Sequence, residues 1–126
     1  MDGLNGRWTI TARAGLLYLQ CLPLLACDRV VHGFSLRRDE AGNDYDLGRA
    51  AVIDERGVLD RRRRFLAGLG LAGAKMVLLE QVHGAEVAVI GPGERQEGGP
   101  GVLFVPGADG AVTGEEEIAL VIRTAD

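Results

Sequence analysis

The apolar residues of this chain occur as short runs, separated by polar and glycine-containing segments. Runs of this kind, rich in Val, Ile and Leu, are typical of β-strands buried in a sheet. They predict strands at residues 16–22, 30–36, 75–83, 86–90, 102–105 and 118–122. We expect the third and fourth strands to pair as a hairpin, because His83, Gly84 and Ala85 would form a tight connection between them.

One helix is predicted between the second and third strands. Asp60 is a suitable N-cap residue, apolar residues follow it as far as Leu69, and Gly70 is a typical stop. Polar stretches that contain glycine predict loops at residues 37–48 and 91–101. A single helix among these strands favours an α+β fold of mixed β-sheets with flanking helices.

The composition is that of a globular protein. Of the 126 residues, 47% are hydrophobic and 25% are charged, which is ordinary for a folded chain. A chain of this length can bury about two-thirds of the surface that its unfolded form exposes. We therefore expect residues 1–126 to form a single domain, and we exclude intrinsic disorder, a coiled coil and a disulfide-stabilised mini-protein.

The charge distribution argues against nucleic acid and membranes as partners. The net charge is −4 and the basic residues form one concentrated run, at residues 61–64, whereas nucleic acids and anionic membranes select basic faces. Four consecutive residues point around most of a helix, so this run predicts a solvated helix surface. No apolar run reaches the ~20 residues that a membrane-spanning helix needs.

The two cysteines, Cys21 and Cys27, have no second pair with which to form a zinc site. We expect two buried free thiols in a reducing cytosol. The alternative is an exported lipoprotein cleaved before Cys27, because residues 14–27 have the length of a signal-peptide core. Asp2, Gln20 and Pro23 argue against export.

The two histidines are the residues most suited to chemistry. His32 and His83 each precede a glycine, and each lies within or at the end of a predicted strand. Neutral imidazole binds zinc and acts as a general base near pH 7. No set of further ligands stands at a diagnostic spacing, so a structural role stays open for both histidines.

Four short segments in order resemble a known family. They are VHGFSLR at residues 31–37, QVHG at 81–84, ADGAVT at 108–113 and TAD at 124–126. Their order and sequence are similar to blocks of the laccase-domain or multicopper polyphenol oxidase family. The same family is also described as purine nucleoside phosphorylases and as peptidoglycan editing factors.

The resemblance implies a fold, an activity and a site. It implies an α+β fold with α/β/β/α-type layers, a cytoplasmic protein, and zinc held by two histidines and a cysteine. It further implies phosphorolysis of purine nucleosides, with phosphate as the second substrate, and deamination of adenosine. The residues that match the family's blocks are His83 as a metal ligand, Arg37 and Asp126 as catalytic residues, and Ser35, Arg37 and Asp109 as substrate-binding residues.

The match to the family's pattern is partial. The family's metal-binding cysteine follows the position of Asp126, and a later histidine block follows that cysteine. We therefore expect residues 1–126 to correspond to the N-terminal part of the family's domain, to bind no stoichiometric zinc and to be inactive alone. The alternative is a non-catalytic remnant that binds a partner, for example as a homodimer formed through an exposed strand edge.

Overall fold

The computed structural model describes residues 6–43, 47, 57–91 and 101–124. Within these residues the elements, in chain order, are β1 Trp8–Arg13, β2 Leu16–Cys21, α1 Leu22–Leu25, β3 Phe34–Ser35, α2 Val58–Gly68, β4 Lys75–Leu79, β5 Val87–Ile90, β6 Val102–Val105, β7 Gly110–Thr113 and β8 Ile118–Val121. Small sheets with few helices confirm the α+β prediction. The α/β/β/α layering stays a prediction.

The chain divides into two compact units. The first comprises Met1–Leu47 and Asp60–Ala72, and the second comprises Gly48–Leu59 and Gly73–Asp126. Two compact units can belong to one domain, so the single domain over residues 1–126 stays a prediction. No helix among the described residues is long and apolar enough to cross a membrane.

The first unit is built on an antiparallel sheet of order β1-β2-β3. A two-residue turn connects β1 to β2, and both Ala14 and Gly15 have positive φ, at 55° and 79°, as tight hairpin turns require. Leu16 and Tyr18 point from β2 towards the helix α2, where they are buried with Phe65 and Leu69. The rings of Tyr18 and Phe65 meet edge to face with centroids 6.0 Å apart.

A glycine ends the helix α2. Gly70 has φ +84°, its N–H donates to the Ala67 carbonyl, and the Leu71 N–H donates to the Leu66 carbonyl. These two bonds form a Schellman motif, which satisfies carbonyls that the end of a helix leaves unpaired. The predicted stop at Gly70 is confirmed.

The second unit is built on a parallel sheet of order β6-β4-β8. The central strand β4 is apolar on both faces, and all four residues from Met76 to Leu79 are buried, as expected for a strand covered on both sides. A separate parallel pair, β5 with β7, contributes Ile90 to the cluster of buried residues that contains Val77 and Leu79.

The predicted hairpin between the third and fourth strands is wrong. Strand β4 ends at Leu79 instead of residue 83 and pairs with β6 and β8, whereas β5 pairs with β7. Glu80 and Gln81 interrupt the apolar run after Leu79, and Gln81 and His83 have positive φ, at 60° and 61°. Because extended strands need negative φ, the chain leaves the sheet at this point.

Several smaller predictions also need correction. The helix begins at Val58, two residues before the predicted N-cap Asp60, and residues 30–36 form only the short strand β3. Cys27 is exposed and Cys21 is half-buried, although both thiols are free as predicted. Strands β1 and β7 were not predicted, because their sequences lack a sustained apolar run. The four-residue helix α1, which has Pro23 in its first turn, was not predicted either.

The prediction of a fully solvated arginine run is wrong for one member. Arg62 is buried, and its Nε donates a hydrogen bond of 2.6 Å to the Leu47 carbonyl. Since four consecutive residues point around most of a helix, one of them must face the inside of the unit. Arg63 and Arg64 are exposed, as predicted.

We predict that Gly70→Ala lowers the free energy of unfolding by about 1 kcal/mol, because alanine is strained at positive φ. Gly73 is the matched control, since a Cβ added there would meet no atom within 4 Å and its φ is not positive. Gly73→Ala is expected to stay within about 0.5 kcal/mol of the unsubstituted chain. Urea unfolding followed by circular dichroism measures both. Equal effects of the two substitutions would contradict the role assigned to Gly70.

Candidate active-site edge

Three loops meet at one edge of the parallel sheet in the second unit. Strands β6, β4 and β8 run in the same direction, so their carboxyl ends lie at the same edge. In open sheets with parallel strands, ligands bind at this edge. The loops that follow the three strands are residues 80–84, 106–109 and 122–124, and we call them together the carboxyl-edge loops.

The first contact among these loops joins Gln81 to Arg123. The Gln81 Nε2 donates to the Arg123 carbonyl at 2.9 Å, and the Arg123 backbone N–H donates to the Gln81 Oε1 at 2.8 Å. One side-chain amide therefore satisfies both backbone groups of Arg123, as a neighbouring strand would. This contact fixes the chain just before Thr124, where the fourth family block begins.

The side chain of Arg123 turns back over the end of β4. Its Nη2 donates to the Leu79 carbonyl at 3.1 Å and to the Glu80 carbonyl at 2.8 Å. Its Nε is buried and has no hydrogen-bond partner among the described residues. The guanidinium thus places a positive charge at the carboxyl edge of the sheet, and it holds the ends of β4 and β8 together.

The second contact joins His83 to Asp109. The His83 N–H donates to Asp109 Oδ1 at 2.8 Å, and the Gly84 N–H donates to Asp109 Oδ2 at 2.7 Å. Two successive N–H groups that point at one carboxylate form an anion-binding nest. The His83 side chain is exposed, so its imidazole remains available to a ligand while its backbone is held.

Further hydrogen bonds join the loop after β6 to the loop after β4 and to Glu86, the residue before β5. The Gly107 N–H donates to Glu80 Oε1 at 2.9 Å, and the Gln81 N–H donates to the Ala108 carbonyl at 3.0 Å. The Asp109 N–H donates to the Glu86 carbonyl at 3.0 Å. The loop that follows β6 is therefore fixed both to the end of β4 and to the start of β5.

The structure brings together two of the predicted site residues, His83 and Asp109. Ser35 and Arg37 belong to the first unit, and both residues are exposed. Ser35 lies on β3, opposite Tyr18 of β2. Asp126 lies outside the described residues. The catalytic roles of Arg37 and Asp126 and the substrate-binding roles of Ser35, Arg37 and Asp109 stay predictions, as does metal binding by His83.

His32 has a structural environment. Its Nε2 accepts a hydrogen bond of 2.7 Å from the Cys21 N–H, and its carbonyl accepts one of 3.0 Å from Gln20 Nε2. An Nε2 that accepts carries no proton, so neutral His32 has its proton on Nδ1. This nitrogen is buried without a partner among the described residues. These contacts support the structural alternative for His32.

The described residues alone do not fit a catalytic zinc. A zinc of this kind takes three protein ligands, and no three His, Cys, Asp or Glu side chains within residues 6–43, 47, 57–91 and 101–124 lie together in a metal-binding arrangement. Both oxygens of Asp109, the carboxylate beside His83, already accept backbone hydrogen bonds. The described residues therefore support no reaction step that passes through zinc.

Sequence reasoning missed Gln81 and Arg123, although both lie within or next to the recognised blocks. Their contacts join residues 42 positions apart along the chain, and no local pattern reports such a contact. The one available signal was a long polar side chain near the end of each of two predicted buried strands.

We predict that Gln81→Met lowers the free energy of unfolding by about 1–3 kcal/mol, because it leaves the half-buried N–H and carbonyl of Arg123 without partners. The matched control is Val82→Met at the adjacent position, where the side chain is 50% exposed and an effect within about 0.5 kcal/mol is expected. Unfolding in guanidinium measures both free energies. A Gln81→Met variant with an unchanged free energy of unfolding would contradict the contact between Gln81 and Arg123.

Comparisons with known proteins agree with the four blocks. The family model described as multi-copper polyphenol oxidoreductase laccase matches residues 31–126. A purine nucleoside phosphorylase of Streptomyces coelicolor is 39% identical over 86 residues, which are 66% of this chain and 32% of the relative. The chain thus spans about a third of the length of that curated relative. No solved structure gives a significant match. Because the family model covers well over half of its residues, the chain belongs to the multi-copper polyphenol oxidoreductase laccase family.

Proposed function

We propose that the protein acts in the phosphorolysis of purine nucleosides, with deamination of adenosine as a second reaction. The observation that carries this proposal is the 39% identity to a protein named purine nucleoside phosphorylase. The carboxyl-edge loops support it, because they hold an exposed imidazole and a guanidinium at the edge of a parallel sheet where ligands usually bind.

In the proposed reaction, a phosphate oxygen attacks C1′ of the ribose and the bond from C1′ to the purine nitrogen breaks. The electron pair of that bond leaves with the base, which takes up a proton, and ribose 1-phosphate is the other product. Arg37 is the candidate that binds phosphate, because a guanidinium can donate two parallel hydrogen bonds to it. Ser35 is the candidate that binds the nucleoside, and the family resemblance implies the same role for Asp109.

His83 is the candidate metal ligand of this reaction. Zinc, when bound, would polarise an oxygen or activate water, and the described residues supply one of its proposed ligands. We infer that residues 1–126 alone bind no stoichiometric zinc and are inactive, and that the complete activity, including any role of Asp126, needs further ligands. We also infer a cytoplasmic location, where nucleosides and phosphate are both present.

We predict that the protein, as its gene encodes it, releases hypoxanthine from inosine only when phosphate is present. His83→Ala is expected to lower this rate by at least about 100-fold, because it removes a ligand of the reacting centre. Glu116→Gln, a change at an exposed position in the turn before β8, is the control and should retain full activity. Chromatography of the released base measures the rate.

The outcomes of this assay separate the proposals. Release of the base that does not require phosphate, or a His83→Ala variant as active as the control, contradicts the proposed reaction. If the gene encodes these 126 residues alone, the absence of activity favours the second candidate function described next. Zinc bound in stoichiometric amount to residues 1–126 would contradict the inferred division of the metal ligands.

The second candidate function is a non-catalytic module that associates with another copy of itself. The first unit carries an apolar sheet face that supports it. On the face of the sheet β1-β2-β3 opposite Tyr18, the register aligns Ile10 with Leu19 and Leu19 with Phe34. Ile10 is 36% exposed and Phe34 is 51% exposed. The Phe34 ring packs edge to face against Trp8, with centroids 5.5 Å apart.

We predict that an oligomerising module forms a dimer at micromolar concentration, and that Phe34→Ser shifts it towards monomer by removing apolar surface. Val89→Ser, at a 68% exposed position on the pair β5 and β7, is the control and should leave the dimer intact. Sedimentation velocity measures the mass of each variant. A monomeric unsubstituted chain would contradict this second candidate.

A further inference from the structure

The backbone of His83 has a conformation that needs external support. Its φ is +61° and that of Gln81 is +60°, and few non-glycine residues adopt positive φ. Such conformations persist where surrounding contacts determine them, and they concentrate at functional sites. The contacts on the His83 backbone therefore hold the Cα from which its imidazole projects.

The described contacts on the His83 backbone come from Asp109. Each carboxylate oxygen accepts one hydrogen bond, Oδ1 from the His83 N–H at 2.8 Å and Oδ2 from the Gly84 N–H at 2.7 Å. Hydrogen bonds to an ionised acceptor are about twice as strong as neutral ones. A Cβ on Gly84 would lie 3.3 Å from Oδ2, so the carboxylate also fits closely against the loop.

Asp109 is itself held by the second parallel pair. Its N–H donates to the Glu86 carbonyl at 3.0 Å, and the next residue, Gly110, begins β7 opposite Val87 of β5. The Asp109 carboxylate therefore ties the loop that follows β4 to the start of β7, which pairs with β5. His83 is connected in this way to two sheets of the second unit.

We propose that Asp109 is a positioning residue that sets the direction of the His83 imidazole, and that it does not bind the substrate. This proposal rests on the proposed function for its chemical purpose, and it replaces the substrate-binding role that the family resemblance implies for Asp109. A substrate-binding carboxylate would direct its oxygens at the ligand, whereas both oxygens of Asp109 accept from the backbone of the His83 loop.

The first test is spectroscopic and does not depend on activity. In the unsubstituted chain, NMR should show scalar coupling across the hydrogen bonds from the Asp109 carboxylate carbon to the amide nitrogens of His83 and Gly84. Asp109→Asn turns a donor towards one of these N–H groups and should accelerate exchange of the two amides roughly 10- to 100-fold. Amides of the buried strand β4 should be unchanged.

Two further variants sharpen the spectroscopic test. Gly84→Ala crowds the carboxylate without removing a charge. It should also accelerate hydrogen exchange of the His83 and Gly84 amides, but by a smaller factor than Asp109→Asn. Glu116→Gln removes a negative charge from an exposed position and should leave the exchange rates of both amides unchanged. Absence of the couplings, or exchange that accelerates equally throughout β4, overturns the proposal because Asp109 would then contribute general stability only.

The second test is kinetic and separates positioning from substrate binding. In phosphorolysis by the protein as its gene encodes it, Asp109→Asn should lower kcat roughly 10- to 100-fold with KM nearly unchanged, because a misplaced reacting group slows the chemical step. A raised KM with unchanged kcat overturns the proposal in favour of substrate binding. If the unsubstituted protein has no phosphorolysis activity but the couplings are present, the proposed function fails while the anchoring of His83 stands.

Discussion

The parallel pairing of β4 between β6 and β8 is the constraint on which the candidate site depends. Strand β4 is buried on both faces from Met76 to Leu79, so it cannot move without exposing much of the core of the second unit. Since its neighbours run in the same direction, their ends are brought to one edge. The parallel pairing therefore brings the loops that carry His83, Asp109 and Arg123 to the same edge.

At that edge, polar side chains replace the strand pairing that has ended. Gln81 pairs with the backbone of Arg123, Arg123 donates to the last carbonyls of β4, and Asp109 accepts from the loop that contains His83. Each contact satisfies groups that the end of a sheet leaves unpaired, and each also fixes a loop. These contacts pair backbone groups at the edge and hold the backbone from which the exposed His83 imidazole projects, and a rigid support of this kind is what a reactive site requires.

The sequence predicted the apolar strands better than their partners. Residues 102–105 were predicted with their observed bounds, because a short apolar run flanked by glycine and proline favours a strand. The hairpin was wrong because the predicted strand was extended past Leu79 across the polar residues Glu80 and Gln81, and positive φ at Gln81 and His83 has no signature in side-chain type. His83 and Asp109 were found through the family blocks, whereas Gln81 and Arg123 were missed because their roles arise from contacts between distant residues.

The most direct test of this account is the strand pairing of β4 in solution, measured by nuclear Overhauser effects between backbone protons. The account predicts contacts of Val77 with the segments around Leu103 and Leu120, in the pattern of parallel strands. Antiparallel contacts between β4 and β5 would contradict it. Such a hairpin would remove the shared edge that brings His83, Asp109 and Arg123 together.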